Sequence, residues 1–399
     1  MHHLVGALPH RAMRDLALRH GPLMLLRMGE LPVVVASSAA AAREIMKTHD
    51  AAFATRPRTS TIVTLNGDGV GIALAPHGDH WRRLRKLCAT ELLGAPRVRS
   101  FRGTREAEAA ALVASVASAA SASGAVVNVS SLVATYVVDA VVRIMVGDRI
   151  GNRAAFLACL EEGVRVSAGF SLADLFPSSR LARALSGTAR RVEAMVREMA
   201  RLMDGVIEEK RARKAAGAGR EEEEDILDVL LDGGGTAPLD IGTIRAVVRD
   251  LIGAGSESSA STLQWAMAEL MRSPAALRRA QAEVRGALAG QSRVREEALQ
   301  ELPYLRLFRP ERFEEGAAAA VDLRGADFEL VPFGAGRRMC PGITFGLAVM
   351  EVGLASLLFH FDWELPDGTE ELDMAEAFGM TARRKTDLWL HATVVVPPL

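Results

Sequence analysis

A mainly α-helical domain with a minor β part is the fold class that the sequence predicts, and three observations carry it. Long Ala-, Leu-, Arg- and Glu-rich stretches repeat their apolar residues at helical spacing, as over 190–214 and 239–271. Apolar, β-prone runs are confined to the two ends, at 23–28 and 32–36 and again at 388–396. No linker and no repeat of fixed period divides the 399 residues, so they are taken as a single domain, 1–399, although a soft length prior permits two or three.

Composition narrows the function classes. The chain is 49% hydrophobic and its formal charge is −1, which describes a folded protein able to bury a large core. Near-neutrality gives no electrostatic reason to expect a nucleic-acid partner, since that binding rests on neutralising phosphates. Cys88, Cys159 and Cys340 are odd in number, far apart and without C-x-x-C spacing. They argue against a disulfide framework or a structural zinc and fit a reducing compartment. His2 and His3 are too few for a metal-binding tag. The opening MHHLVGALPHRAMRD has no apolar stretch of signal-peptide length, and no later run offers about 18 uninterrupted apolar residues. The expectation is a soluble or peripherally bound chain.

The elements follow in order. Gly29 and Glu30 separate the first two β-prone runs, so a hairpin is expected there. In HWRRLRKL, Trp81 and Arg85 stand four apart on a predicted helix and present an indole N–H and a guanidinium to one side, donors that suit carboxylates. The bland alternative is a solvated basic face. The run AAGAGREEEED over 215–225 predicts a loop, and 316–325 a second. The helix over 239–271 has a weak centre, LIGAGSESS, where Gly253 and Gly255 cost about 1 kcal/mol each against Ala. Ala254 and Ser258 share a face there, leaving room for a ligand and a hydroxyl to serve it. A helix crossing lined by small residues is the competing reading.

The most informative stretch is VPFGAGRRMCPGITFG at 331–346. Pro341 suits the first position of a helix, so Cys340 is expected at a helix N-terminus, where backbone N–H groups favour a thiolate. Arg337 and Arg338 add positive charge, and Gly334 and Gly336 let the backbone come close to a bulky flat partner. A dinucleotide-binding loop fails because Met339 stands at the third-glycine position. A catalytic nucleophile lacks a nearby base. An inert structural cysteine at a turn remains the plain alternative.

Phe333, Gly336, Arg338, Cys340 and Gly342 meet the pattern F-x-x-G-x-R-x-C-x-G in full, and it is similar to the haem-binding loop of cytochromes P-450. The chain resembles the plant microsomal type of that family. The resemblance implies that Cys340 is the axial ligand of haem b, donating electron density to the iron. It implies that Arg338 pairs with a propionate and that Phe333 packs beside the thiolate. Trp81 and Arg85 resemble the family's propionate-binding W-x-x-x-R. Ala254, Gly255, Ser256, Glu257, Ser258 and Ser259 resemble A-G-x-[DE]-T-[ST], which lies over the haem; Glu257 and Ser258 would then relay protons, with serine where threonine is usual. FRPERF at 308–313 is similar to the P-E-R-F segment, and Phe53, Arg56 and Pro57 to F-x-x-R-P. The implied activity is a monooxygenase of plant secondary metabolism. It inserts one atom of O2 into an apolar small molecule, a terpenoid by analogy, with electrons from NADPH through NADPH-cytochrome P-450 reductase.

Two departures are expected to matter. Members of this type begin with a membrane helix and a proline-rich hinge that hold them at the endoplasmic reticulum, whereas this sequence starts at the segment that follows, so a cytosolic chain is the alternative. ELPYLRL at 301–307 normally leads into a helix carrying E-x-x-R and then a small sheet, but FRPERF follows at once. The fold is thus expected to be incomplete, with an internal stretch missing near 306–308, as a splicing or gene-model error would leave it. Glu198 with Arg201 and Glu269 with Arg272 repeat the spacing on other predicted helices and cannot replace it. Arg312 is left without its partners, and an unpaired buried charge costs about 3–5 kcal/mol. The alternative function is a non-catalytic chain that holds no haem, and a haem-free thiol enzyme is a third reading.

Overall fold

The computed structural model describes residues 6–67, 69–121, 126–147, 152–167, 171–215, 224–233, 238–302, 304–305, 325–366, 368 and 371–398. The helices of nine residues or more among them are α1 Pro9–His20, α2 Asp79–Leu87, α3 Arg102–Ala120, α4 Val129–Val146, α5 Arg153–Ser167, α6 Thr188–Ala215, α7 Ile241–Arg272, α8 Pro274–Ala287 and α9 Ile343–His360. The strands are β1 Leu23–Met28, β2 Leu31–Ala36, β3 Val127–Asn128, β4 Phe361–Glu364, β5 Glu376–Ala377, β6 Arg383–Arg384 and β7 Trp389–Val394. The mainly α architecture with small β parts is as the sequence predicts.

Local chemistry sets the ends. Asn128 accepts the N–H of Ser131 at 3.0 Å at the start of α4, and Asp240 accepts that of Thr243 at 2.8 Å at the start of α7. Pro274 opens α8. Strands β1 and β2 form the expected N-terminal hairpin, pairing Leu23 with Ala36 and Met28 with Leu31. Gly29 turns it at φ 65°, and an added Cβ there would stand 2.3 Å from the Leu175 carbonyl oxygen. The last strand pairs with both β3 and β4, and β5 pairs with β6 in a separate hairpin, all antiparallel.

The core is built on α7, which packs most extensively against α4; α3 also lies on α4, and α9 lies against both α7 and α3. Helices α4 and α9 are long and apolar enough to cross a membrane by length and composition, yet 61% of each is buried inside the fold. Helices apolar on nearly all sides belong in a core. The backbones of α4 and α9 come close because Gly353 faces the Tyr136 ring, where an added Cβ would stand 2.6 Å from it. The Tyr136 hydroxyl donates to the Val349 carbonyl at 2.7 Å. Arg105 is fully buried, with two nitrogens on the Glu296 carboxylate at 2.7 Å and a third on the Val98 carbonyl at 2.8 Å. Removing one member of such a pair costs about 3–5 kcal/mol.

Glu198–Arg201 and Glu269–Arg272 are local pairs within α6 and α7 at 2.6 and 3.0 Å, on the helices expected for them. The segment 308–313 with Arg312, the junction at 306–308, and residues 216–223 and 316–324 of the two predicted loops lie outside the described residues.

Candidate functional site

The cysteine loop is closed by its own backbone. Gly334 and Gly336 take φ 69° and 66°, and the Cys340 N–H donates to the Phe333 carbonyl at 2.9 Å, which ties the main chain of Phe333 to that of the cysteine. Cys340 is half-buried, and the Gly342 N–H donates to its Sγ at 3.3 Å. Two expectations are corrected here. Pro341 is not the first helical residue: a turn at 341 and 342 delays α9 to Ile343, so the sulfur meets the single N–H of Gly342 ahead of the helix. Gly336 does not make room for a flat partner. An added Cβ there would stand 1.8 Å from the Met46 carbonyl oxygen, so the close approach is to the chain itself.

Arg337 is directed away from the thiol. It donates to Asp50 at 2.7 Å and pulls that carboxyl below its ordinary range, so it is not the sulfur's counter-charge. Arg338 turns inward. Its Nε, Nη1 and Nη2 donate to the carbonyls of Ala54, Ile72 and Ala75 at 2.8, 3.4 and 2.6 Å. Its guanidinium lies 4.3 Å over the buried Trp81 ring. Half-buried Arg85 follows one turn after Trp81 and lies within electrostatic reach of both Cys88 and Cys340. Burial, then the charges of Arg56 and Arg85, push Arg338 down to about 10. Among the described residues no carboxylate pairs with Arg56, Arg85 or Arg338. The outer side of α2 is the solvated basic face, where exposed Arg82 pairs with Asp79; on the inner side half-buried Arg85 approaches Arg338.

Above the cysteine loop lies α7. Phe345 of α9 would meet a Cβ on Gly255 at 3.7 Å, and Ser259 Oγ would meet one on Gly346 at 3.7 Å. The small residues thus serve two purposes. Gly255 and Ser259 make a helix crossing, while Ala254 and Ser258 are exposed on the adjoining face. The two glycines do not interrupt α7, which runs for 32 residues. Ser258 donates its hydroxyl to the Ala254 carbonyl at 2.7 Å. Glu257 is engaged elsewhere: it accepts from Thr381 Oγ1 at 2.6 Å and pairs with Arg383 Nε at 3.2 Å, both from the β5–β6 hairpin. The structure thus brings Arg338 onto the Trp81 ring, sets Arg85 within electrostatic reach of Cys340, and holds Phe333, Cys340 and Gly342 in one loop, while Gly255 packs toward Phe345, Ala254 and Ser258 are exposed on α7, and Glu257 is turned to the hairpin. Sequence reasoning missed Asp250, which accepts the Ala73 N–H at 2.9 Å from one turn before Ala254. The closely spaced glycines at 67, 69 and 71 were the available sign of a tight approach.

The family model described as cytochrome P450 matches residues 1–307 and 306–390. Desmethyl-deoxy-podophyllotoxin synthase of Sinopodophyllum hexandrum is 39% identical over 99% of this chain and 89% of its own length. Melianol synthase of Citrus sinensis is 36% identical over 100% and 89%, and germacrene A hydroxylase of Lactuca sativa is 36% identical over 98% and 90%. A solved zebrafish cytochrome P450 structure with abiraterone shares the fold at TM-score 0.75 and 18% identity, covering 97% of this chain and 99% of that one. The chain belongs to the cytochrome P450 family. It is a plant-type haem monooxygenase, an oxidoreductase of secondary metabolism whose family works with a redox partner on small molecules.

Proposed function

We propose that the chain inserts one oxygen atom of O2 into an apolar plant metabolite, with electrons from NADPH delivered by NADPH-cytochrome P-450 reductase at the endoplasmic reticulum surface. One observation carries the reading: a half-buried thiol lies within electrostatic reach of half-buried Arg85, which in turn neighbours Arg338, and among the described residues neither arginine has a carboxylate partner. Arg85 and Arg338 would meet the propionates of a porphyrin, and Cys340 would meet its iron. Germacrene A hydroxylase and melianol synthase, both named for terpenoid chemistry, support the substrate class.

When bound, haem b supplies oxygen activation. Cys340 Sγ would hold the iron, with Phe333 and the N–H of Gly342 steadying the sulfur. A guanidinium has five N–H groups, and Arg338 spends three on carbonyls, so two remain for a propionate beside Arg85 and the Trp81 indole. Gly336 sets the loop that carries them. The small side chain of Ala254 leaves space on the open face and Gly255 keeps α7 close to α9. Ser258 holds a proton donor at the Ala254 carbonyl. Glu257 would have to leave Thr381 and Arg383 to join a proton relay.

The test is to express the chain with haem precursor, reduce it and add CO. A red-shifted Soret band is expected, and Cys340→Ala should abolish it while the helical circular dichroism is kept. A folded, colourless protein whose thiol alkylates freely overturns the reading.

That outcome favours the second reading, a non-catalytic chain that holds no haem. Its support is that the family model matches in two pieces that meet at residues 306–307. The alignment to the podophyllotoxin-type relative runs over 461 positions against 399 residues here. We propose that an internal stretch including the E-x-x-R helix is missing at that junction. Transcript reads across 306–308 that contain the stretch would assign the loss to the gene model; reads that lack it would assign it to the message.

A further inference from the structure

The segment 69–75 runs between α7 and the cysteine loop and is held from both sides. On the α7 side, Asp250, with a side chain only 8% exposed, accepts the Ala73 N–H on Oδ2 at 2.9 Å. Glycines make the approach possible. A Cβ on Gly71 would stand 2.2 Å from Asp250 Oδ2 and 2.9 Å from the Ala246 carbonyl oxygen, and one on Gly69 would stand 2.0 Å from that of Gly242. Gly242, Ala246 and Asp250 are spaced four apart, so the segment lies along one stripe of α7. The same stripe continues into the exposed Ala254 and Ser258.

On the other side, the carbonyls of Ile72 and Ala75 accept from Arg338, and that of Ala73 accepts from Arg56 Nε at 3.1 Å. Within four residues, one N–H is tied to α7 and three carbonyls to two guanidiniums of the positive cluster. Asp250 itself is balanced on its own helix, where Arg249 lies 3.6 Å from Oδ1 and also donates to the Leu65 carbonyl at 3.0 Å. Burial raises the Asp250 carboxyl, while Arg249 and the Ala73 N–H oppose the rise.

We propose that Asp250 is a positioning residue that latches the segment 71–75 to α7 and, through the carbonyls of Ile72 and Ala75, fixes where Arg338 stands relative to the open face at Ala254 and Ser258. It acts on the site through the loop and Arg338. The inference deepens the haem assignment but draws its geometry from the chain alone.

Amide hydrogen exchange of the full chain, with and without haem, tests it. Asp250→Ala should speed exchange over 69–76 by about tenfold or more, because the Ala73 N–H loses its acceptor, with 343–360 unchanged. Asp250→Asn keeps a side-chain carbonyl to accept that N–H and should stay within about twofold of the parent. Gly71→Ala probes the latch from the loop side and should mimic Asp250→Ala by pushing a methyl into Oδ2. In haem-loaded protein, Asp250→Ala should increase the share of CO complex that lacks the red-shifted Soret band, and the Asn variant should restore it. Unchanged exchange over 69–76 in Asp250→Ala, or an Asn variant as fast as the Ala one, overturns the latch. A parent chain that takes up no haem overturns only the haem assignment, because exchange in the apo chain still decides the latch.

Discussion

The cysteine loop and the open face of α7 adjoin each other and are built on opposite plans. The loop is fastened by main chain: Cys340 N–H to the Phe333 carbonyl, Gly336 against the Met46 carbonyl, and Arg338 to three carbonyls. The α7 face is fastened by side chains, Glu257 to Thr381 and Arg383, Trp265 to the Ala382 carbonyl at 2.6 Å, and Asp250 to Ala73. Main-chain acceptors cannot be mutated away and hold a fixed geometry. Side-chain partners can be exchanged or released, so the lower half is the rigid seat and the upper half the adjustable wall.

The largest expected effect comes from removing the one side chain that joins seat to cluster. Arg338→Ala leaves three carbonyls without their charged donor, and hydrogen bonds to charged groups are worth about 1.5–3 kcal/mol each. A loss of at least about 3 kcal/mol of stability is expected in denaturant melts, together with loss of haem uptake. Arg338→Lys keeps the charge but lacks the planar fork that serves several acceptors at once, so it should recover no more than about half of either deficit. An Arg338→Ala protein with parent-like stability would show that the seat is not held through this guanidinium.

The upper half should respond more weakly. Glu257→Gln keeps an acceptor for Thr381 and removes only the ion pair to Arg383, which is 46% exposed, so no more than about 1 kcal/mol is at stake. The expected signature is local: limited proteolysis in the hairpin around β5 and β6 should quicken several-fold while the global melt hardly moves. A global loss as large as that of Arg338→Ala would erase the distinction between seat and wall.

The same difference explains what the sequence disclosed. The seat was legible because its residues are contiguous: Phe333, Gly336, Arg338, Cys340 and Gly342 fall within ten positions, and Trp81 and Arg85 within one helical turn-and-a-bit on α2. Long helices such as α6 and α7 were legible from period, and the terminal hairpin from its two β-prone runs. The wall was legible only in part. Ala254 and Ser258 could be placed on one face, but the partner of Glu257 lies 124 residues away and that of Asp250 177 residues away, and no local pattern encodes such distances. The two errors in the loop have one origin. Spacing reports that glycine and proline are needed, yet not whether Gly336 accommodates a ligand or Met46, nor that Gly342 delays the helix to Ile343.

Ser258 gives the finest discrimination. Its hydroxyl already bonds back to the Ala254 carbonyl, and the position is exposed, so Ser258→Thr adds a methyl without displacing a neighbour and should change stability by less than about 0.5 kcal/mol. The added methyl narrows the choice of χ1 rotamer, holding the same oxygen more steadily on the open face. With reductase and NADPH, hydrogen peroxide released per NADPH consumed should therefore fall, by about twofold, in Ser258→Thr and rise in Ser258→Ala, in keeping with a hydroxyl that positions a proton. Peroxide release that is the same in the Ser, Thr and Ala proteins would mean that this hydroxyl only caps its own helix turn, and the wall would then act through shape alone.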